Sequence, residues 1–235
     1  MFPLRDTIPS KHFPIINFII IAVNIWAFFF EVSLGSGLQR FLQVYAFVPA
    51  HFTHPTAFGM DPFFGRIIPI FTAMFLHGGW LHIIGNMWFL WIFGDNVEDS
   101  MGHGRYLLFY LLCGVAAAFS QYAVNPASTI PNIGASGAIA GVMAAYLLLY
   151  PRAKIITLLV IIIFIDIIEI PAFIFILFWF ALQLLYGLIA LPSAHMITGG
   201  VAYFAHIGGF TTGLILVWLF KEKKRAAFID EYLPW

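Results

Sequence analysis

The chain has 235 residues, of which 62% are hydrophobic, 18% aromatic and only 9% charged, and its mean hydropathy is +0.94. Soluble domains carry about 25% charged residues, so this composition excludes a soluble globular protein and indicates a polytopic membrane protein. A formal net charge of zero argues against nucleic acid as a partner, and one cysteine, Cys113, excludes disulfides within the chain.

A bilayer crossing needs roughly 20 apolar residues, and six stretches approach that length. The first, 13–31, follows Arg5 and Lys11. It exceeds the roughly 7–15 residues of a signal-peptide core, and Glu31-Val-Ser-Leu-Gly is a poor cleavage site, so it reads as a retained span. A long aromatic-rich loop, 32–69, is expected to lie partly in the outer leaflet as a clamp. The second span, 80–97, carries His82 and Asn86, and the third covers 105–123. The fourth, 136–150, is short and is punctuated by Gly134 and Pro151. Residues 155–170 are apolar but interrupted by Asp166 and Glu169, which suggests an interfacial or partly buried connector, with a seventh span as the alternative. A fifth span at 171–191, an uncharged loop at 192–200, a sixth span at 201–220 and a basic tail at 221–235 complete the chain. The expectation is an all-α polytopic membrane protein, one domain over 1–235.

Lys and Arg accumulate on cytoplasmic loops. Here they sit before the first span (Arg5, Lys11), after the second (Arg105), after the fourth (Arg152, Lys154) and in the tail, while the long first loop has only Arg40 and Arg66. Both termini are therefore expected in the cytoplasm, as six spans require. Spans two, four and six then run inward from the outer face. His82, Asn86, Ser136 and His206 fall at one shallow depth below it.

Helices in lipid approach closely where small residues line the contact. The fourth span has Gly137, Gly141 and Ala145 at four-residue spacing, and the sixth has Ala205, Gly209 and Gly213. Pairing these stripes brings Ser136 toward His206, and a serine needs its base within about 2.6–3.2 Å to become a nucleophile. His82 and Asn86, one turn apart on one face, and the Ser136 amide at a helix start supply donors for an oxyanion. Singly, each residue has a packing explanation. Their joint occurrence at matched depth favours a nucleophile and a base.

His77-Gly-Gly-Trp-Leu-His82-Ile-Ile-Gly-Asn86, Gly94-Asp-Asn-Val-Glu98 with Gly102 and Arg105, Gly134-Ala-Ser136-Gly137, and Ala205-His206 with Gly209 and Gly213 together resemble the rhomboid family of intramembrane serine proteases. The resemblance implies a six-helix bundle with a long first loop and a Ser–His dyad lacking a carboxylate third member. Carried over by position, Ser136 is the nucleophile, His206 the base and then the acid, and His82, Asn86 and the Ser136 amide the oxyanion hole. Gly134, Gly137, Gly141, Gly209 and Gly213 pack the helices at the site. The fifth span and the 192–200 loop correspond to a lateral gate and cap, and the substrates to single-pass transmembrane proteins in the lipid bilayer. Neither a metal nor a cofactor is expected. Two positions depart from the pattern of some relatives: Ala140 stands where an aromatic packs on the histidine, leaving Trp88 or Tyr203 to brace it, and Ile68-Pro69 replaces a Trp-Arg pair. A bacterial plasma membrane is the simplest expected location. A transporter and an inactive, substrate-binding relative are the rival readings.

Overall fold

The computed structural model describes residues 2–161, 164–191 and 200–222. The expected loop at 192–200 lies almost wholly outside these residues, as does most of the expected tail. A short strand β1 (Phe2–Asp6) precedes α1 (Ile15–Ser33); the first loop then folds into α2 (Leu38–Tyr45), α3 (Pro49–Thr53) and α4 (Phe64–Thr72). Then come α5 (Trp80–Met101), α6 (His103–Val124), α7 (Ser136–Leu149), the strands β2 (Lys154–Ile161) and β3 (Phe164–Pro171), α8 (Ala172–Ala190) and α9 (Tyr203–Phe220). The protein is an α-helical, multi-pass membrane protein. Every expected span is matched by a helix, with ends shifted by a few residues.

Four of these helices, α1, α6, α8 and α9, are long and apolar enough to cross a bilayer singly. Phe64–Phe75 and α5, which meet at a 79° bend, are long and apolar enough only when taken together. At 14 residues, α7 is about 21 Å long at 1.5 Å per residue, short of a hydrocarbon core of about 30 Å. It is instead the protein's own centre. Gly137 to Tyr146 are buried without a break, enclosed by α5, α6 and α9. An element hydrophobic on all sides belongs inside.

The helix contacts follow from missing side chains. A Cβ on Gly209 would stand 1.9 Å from the Gly137 carbonyl oxygen, and one on Gly213 would stand 2.4 Å from that of Gly141. The two expected stripes thus lie backbone against backbone. Polar groups fasten α1 to α5: the Glu98 carboxylate accepts the N–H groups of Ile16 at 3.0 Å and Asn17 at 2.7 Å. Those donors belong to the open first turn of α1, which has no intrahelical partner for them. The Asn17 side chain donates to the Leu90 carbonyl at 3.1 Å and accepts from Tyr106 at 2.8 Å. Only a glycine at 94 leaves it room, since a Cβ there would meet Asn17 Oδ1 at 2.1 Å.

The connector at 155–170 is a β-hairpin, which the helical expectation did not include. β2 pairs antiparallel with β3, from Lys154 opposite Pro171 to Ile161 opposite Phe164, and β1 pairs antiparallel with β2. The sheet order is β1-β2-β3. Ile is the commonest residue of both hairpin strands, joined in β2 by Thr157 and Val160, and β-branched residues favour a pleated, half-buried surface. Because the chain leaves and returns within sixteen residues, this segment is not a seventh span. An open sheet edge in hydrocarbon would strand its backbone groups, which places the sheet at the membrane surface.

Candidate active site

Ser136 is the first residue of α7, and the chain leading to it is pinned from the first loop. Phe47 and Asn132 exchange two backbone hydrogen bonds of 3.2 and 2.9 Å, Ala50 donates to the Ser128 carbonyl at 2.9 Å, and Gly134 donates to the Ala73 carbonyl at 2.9 Å. The long first loop therefore clamps the segment that presents Ser136. Gly134 has φ +123°, in the region that favours glycine.

Across the α7–α9 contact, His206 Nε2 lies 2.7 Å from Ser136 Oγ. His206 is buried, and its other ring nitrogen, Nδ1, lies 2.8 Å from Gln183 Oε1 on α8. Gln183 Nε2 donates to the Trp179 carbonyl at 3.3 Å. That contact orients the amide, because a carbonyl can only accept, and leaves the amide oxygen to face His206. The Trp179 ring lies beside the imidazole, with centroids 5.7 Å apart and planes at 35°. Neither expected brace serves: Trp88 donates to the Pro3 carbonyl at 2.6 Å, and Tyr203 lies against Tyr186. Ala140 is buried in the α7 core.

His82 and Asn86 project from α5 toward the same place. The Gly78 N–H donates to His82 Nδ1 at 3.3 Å, so in the neutral ring the proton is on Nε2. A Cβ built on Gly134 would stand 2.7 Å from His82 Nε2 and 3.6 Å from Asn86 Nδ2. Both donors thus look onto the empty face of Gly134, two residues before Ser136. Asn86 Nδ2 is buried without a hydrogen-bond partner in the protein, and the Ser136 N–H opens a helix whose first amides have no intrahelical acceptor. A pocket of about 40 Å³ reaches Ser136 between Gly134, Ala73 and Ala205. Ser136, His206, His82, Asn86 and Gly134 meet here, Gly137 and Gly209 form the backbone contact beside them, and Gly141 and Gly213 form the next contact along the same seam.

Gln183 and Trp179 were missed. The signal for Gln183 was present: it is the only strongly polar side chain in the run from Ala172 to Ala190, and a polar group in a membrane helix seeks a partner. Trp179, four residues before it, shares its face. Among the described residues, no three His, Cys, Asp or Glu side chains form a set that could hold a metal ion.

Alongside the site, an apolar cleft of about 470 Å³ separates α5 from α8. Ile84, Trp88 and Phe89 line one side, Phe175, Phe178 and Trp179 the other, and Phe2 and Pro3 of the β1 strand its end.

A serine–histidine contact and paired donors lie together inside a helical membrane bundle, and sequence comparison identifies the family. The chain belongs to the rhomboid family, whose description as a Rhomboid domain matches residues 65–223. It is similar to Rhomboid-like protein 11, chloroplastic, of Arabidopsis thaliana: 31% identity over 154 residues, 64% of this chain and 51% of that protein. Similarity to the mitochondrial presenilin-associated rhomboid-like protein of Bos taurus is 30% over 165 residues, 66% of this chain and 40% of that one. With RHOMBOID-like protein 1 of Arabidopsis thaliana it is 28% over 162 residues, 69% and 36% of the two chains. The chain thus spans about half, or less, of the length of these relatives. The two first-named are organellar by name, so they lend no support to a bacterial plasma membrane.

Proposed function

We propose that this protein is an intramembrane serine endopeptidase that cleaves transmembrane substrate helices near the outer face of the membrane. The observation that carries the proposal is the 2.7 Å contact between Ser136 Oγ and His206 Nε2, a nucleophile within reach of its base. Ser136 Oγ attacks the scissile carbonyl while its proton passes to His206 Nε2. The negative oxygen is met by His82 Nε2–H, Asn86 Nδ2–H and the Ser136 N–H. His206 then protonates the departing amine, leaving the acyl group on Ser136. Water attacks that ester, giving its proton to His206, and the new carboxyl product leaves with Ser136 restored.

The α5–α8 cleft supports lateral access for a substrate helix, because its walls are apolar and α8 is one of them. Burial of α7 supports a catalytic centre sunk below the surface. Arg5, Lys11, Arg152 and Lys154 gather at the end of the bundle that holds the sheet, opposite Ser136, which supports cytoplasmic termini by the charge rule. Backbone pairing of β1 with β2 and the Glu98 cap on α1 support one membrane domain over 1–235, although the family match begins only at residue 65.

In detergent or nanodiscs, a fluorophosphonate probe is expected to modify Ser136 in the wild type and not in His206→Ala. Ser136→Ala and His206→Ala are expected to abolish cleavage of a model transmembrane substrate, and EDTA is expected to leave the wild type unaffected. Full cleavage by Ser136→Ala would overturn the mechanism; substrate binding without labelling would favour the binding-protein reading.

A further inference from the structure

We infer that Gln183 is a positioning residue for His206, holding the imidazole in the one tautomer that can accept the Ser136 proton. The inference deepens the protease reading and rests on it. Imidazole in its neutral form has one donor and one acceptor nitrogen, and only a bare Nε2 can take a proton from Ser136 Oγ. The proton must therefore be on Nδ1. Gln183 Oε1, 2.8 Å from Nδ1, is an acceptor and nothing else, so it stabilises that tautomer and no other. Its own orientation is set by the bond from Nε2 to the Trp179 carbonyl. A flipped amide would turn two donors toward Nδ1 and an oxygen toward a carbonyl oxygen.

Burial makes this consequential. Gln183 is 9% and His206 8% exposed, so little solvent competes for either group and a wrong tautomer has no easy alternative partner. In serine hydrolases with a buried carboxylate at this place, that group orients the ring and stabilises the imidazolium. A neutral amide does the orienting with less charge stabilisation. Trp179 flanks the ring at 5.7 Å, so Gln183 fixes the ring edge while Trp179 limits its tilt. Gln183 touches neither the reacting oxygen nor the pocket beside Ser136, and its effect passes through His206 alone.

The test compares Gln183→Met, which keeps the volume and removes the acceptor, with Gln183→Glu, which keeps an acceptor oxygen. The readouts are fluorophosphonate labelling of Ser136, steady-state cleavage and 15N signals of the His206 ring in nanodiscs. The expected wild-type spectrum shows a protonated Nδ1 and a bare Nε2. In Gln183→Met, labelling and kcat are expected to fall roughly 10–100-fold, the range seen when an outer group that orients a metal-bound imidazole is removed. KM and the thermal midpoint should hold, and the tautomer should redistribute. Gln183→Glu should restore most of the labelling. Wild-type labelling in Gln183→Met with Nδ1 still protonated overturns the inference, as does a wild-type ring protonated on Nε2. The ring spectrum of the wild type decides the matter even where Gln183→Met does not fold. Absence of Ser136 labelling in the wild type would sink the protease reading instead, and the two failures are told apart by that control.

Discussion

At the scale of single residues, donors are aimed by what surrounds them. His82 offers Nε2–H because the Gly78 amide occupies Nδ1, and Asn86 Nδ2 is buried without a partner in the protein. A buried donor left unpaired costs about 1–3 kcal/mol, which the proposed mechanism offsets by supplying an oxyanion as the acceptor. Asn86→Ala is therefore expected to lose roughly 10²–10³ in turnover, the usual cost of one oxyanion donor, while its thermal midpoint stays level with the wild type. A parallel fall in midpoint and turnover would mark Asn86 as a packing residue. Gly134 is needed twice, for its φ of +123° and for the space in front of His82 Nε2.

At the scale of elements, the meeting of Ser136 and His206 depends on the α7–α9 seam. Small residues allow that approach, and the nearest neighbour of a new Cβ on Gly209 would be backbone, the Gly137 carbonyl. A rigid helix cannot yield there as a flexible side chain would, so the two axes must separate. Gly209→Ala is expected to lower stability by about 1–3 kcal/mol, the usual cost of overpacking. It is also expected to reduce Ser136 labelling more than tenfold, read from thermal melts and probe kinetics on the same sample. Gly104, with open space around it and outside the apolar cleft, is the control: Gly104→Ala should lower neither. The neighbouring element, α8, both walls the apolar cleft and carries Gln183, so one helix faces the cleft and the His206 ring.

At the scale of the whole molecule, the sheet joins parts that the helices leave separate. β1 brings the N-terminal residues beneath α5 and α7, where Tyr146 donates to Asp6 Oδ2 at 2.5 Å, and β3 runs directly into α8. Burial pushes the Asp6 carboxyl up to about 6 from 3.8, with the Tyr146 bond opposing the rise. A raised value means that the folded state prefers the protonated acid. This contribution to stability is complete below about pH 3.8 and is lost as pH rises through about 6. Asp6→Asn, which mimics the protonated form, is expected to melt above the wild type at pH 7.5 and to converge with it at pH 3.5. Equal melting curves across that range would show that Asp6 is not buried against Tyr146 in solution.

The membrane class, the helix positions and the polar residues that meet at the candidate site were legible in the sequence, because each leaves a local mark. Hydrophobic runs have a length set by lipid, small residues recur at helical spacing, and Ser136, His206, His82 and Asn86 interrupt apolar helices that would otherwise exclude them. The hairpin at 155–170 was not legible, since a short apolar run fits a strand or a helix equally and its pairing with Phe2–Asp6 joins residues some 150 positions apart. Nor was Gln183. A lone amide on one helix and a histidine on another carry no sign in their spacing that they meet. The sequence by itself determined which groups are present to do chemistry. Only tertiary packing decided how the His206 ring is held, because a tautomer is set by what touches the far side of the ring.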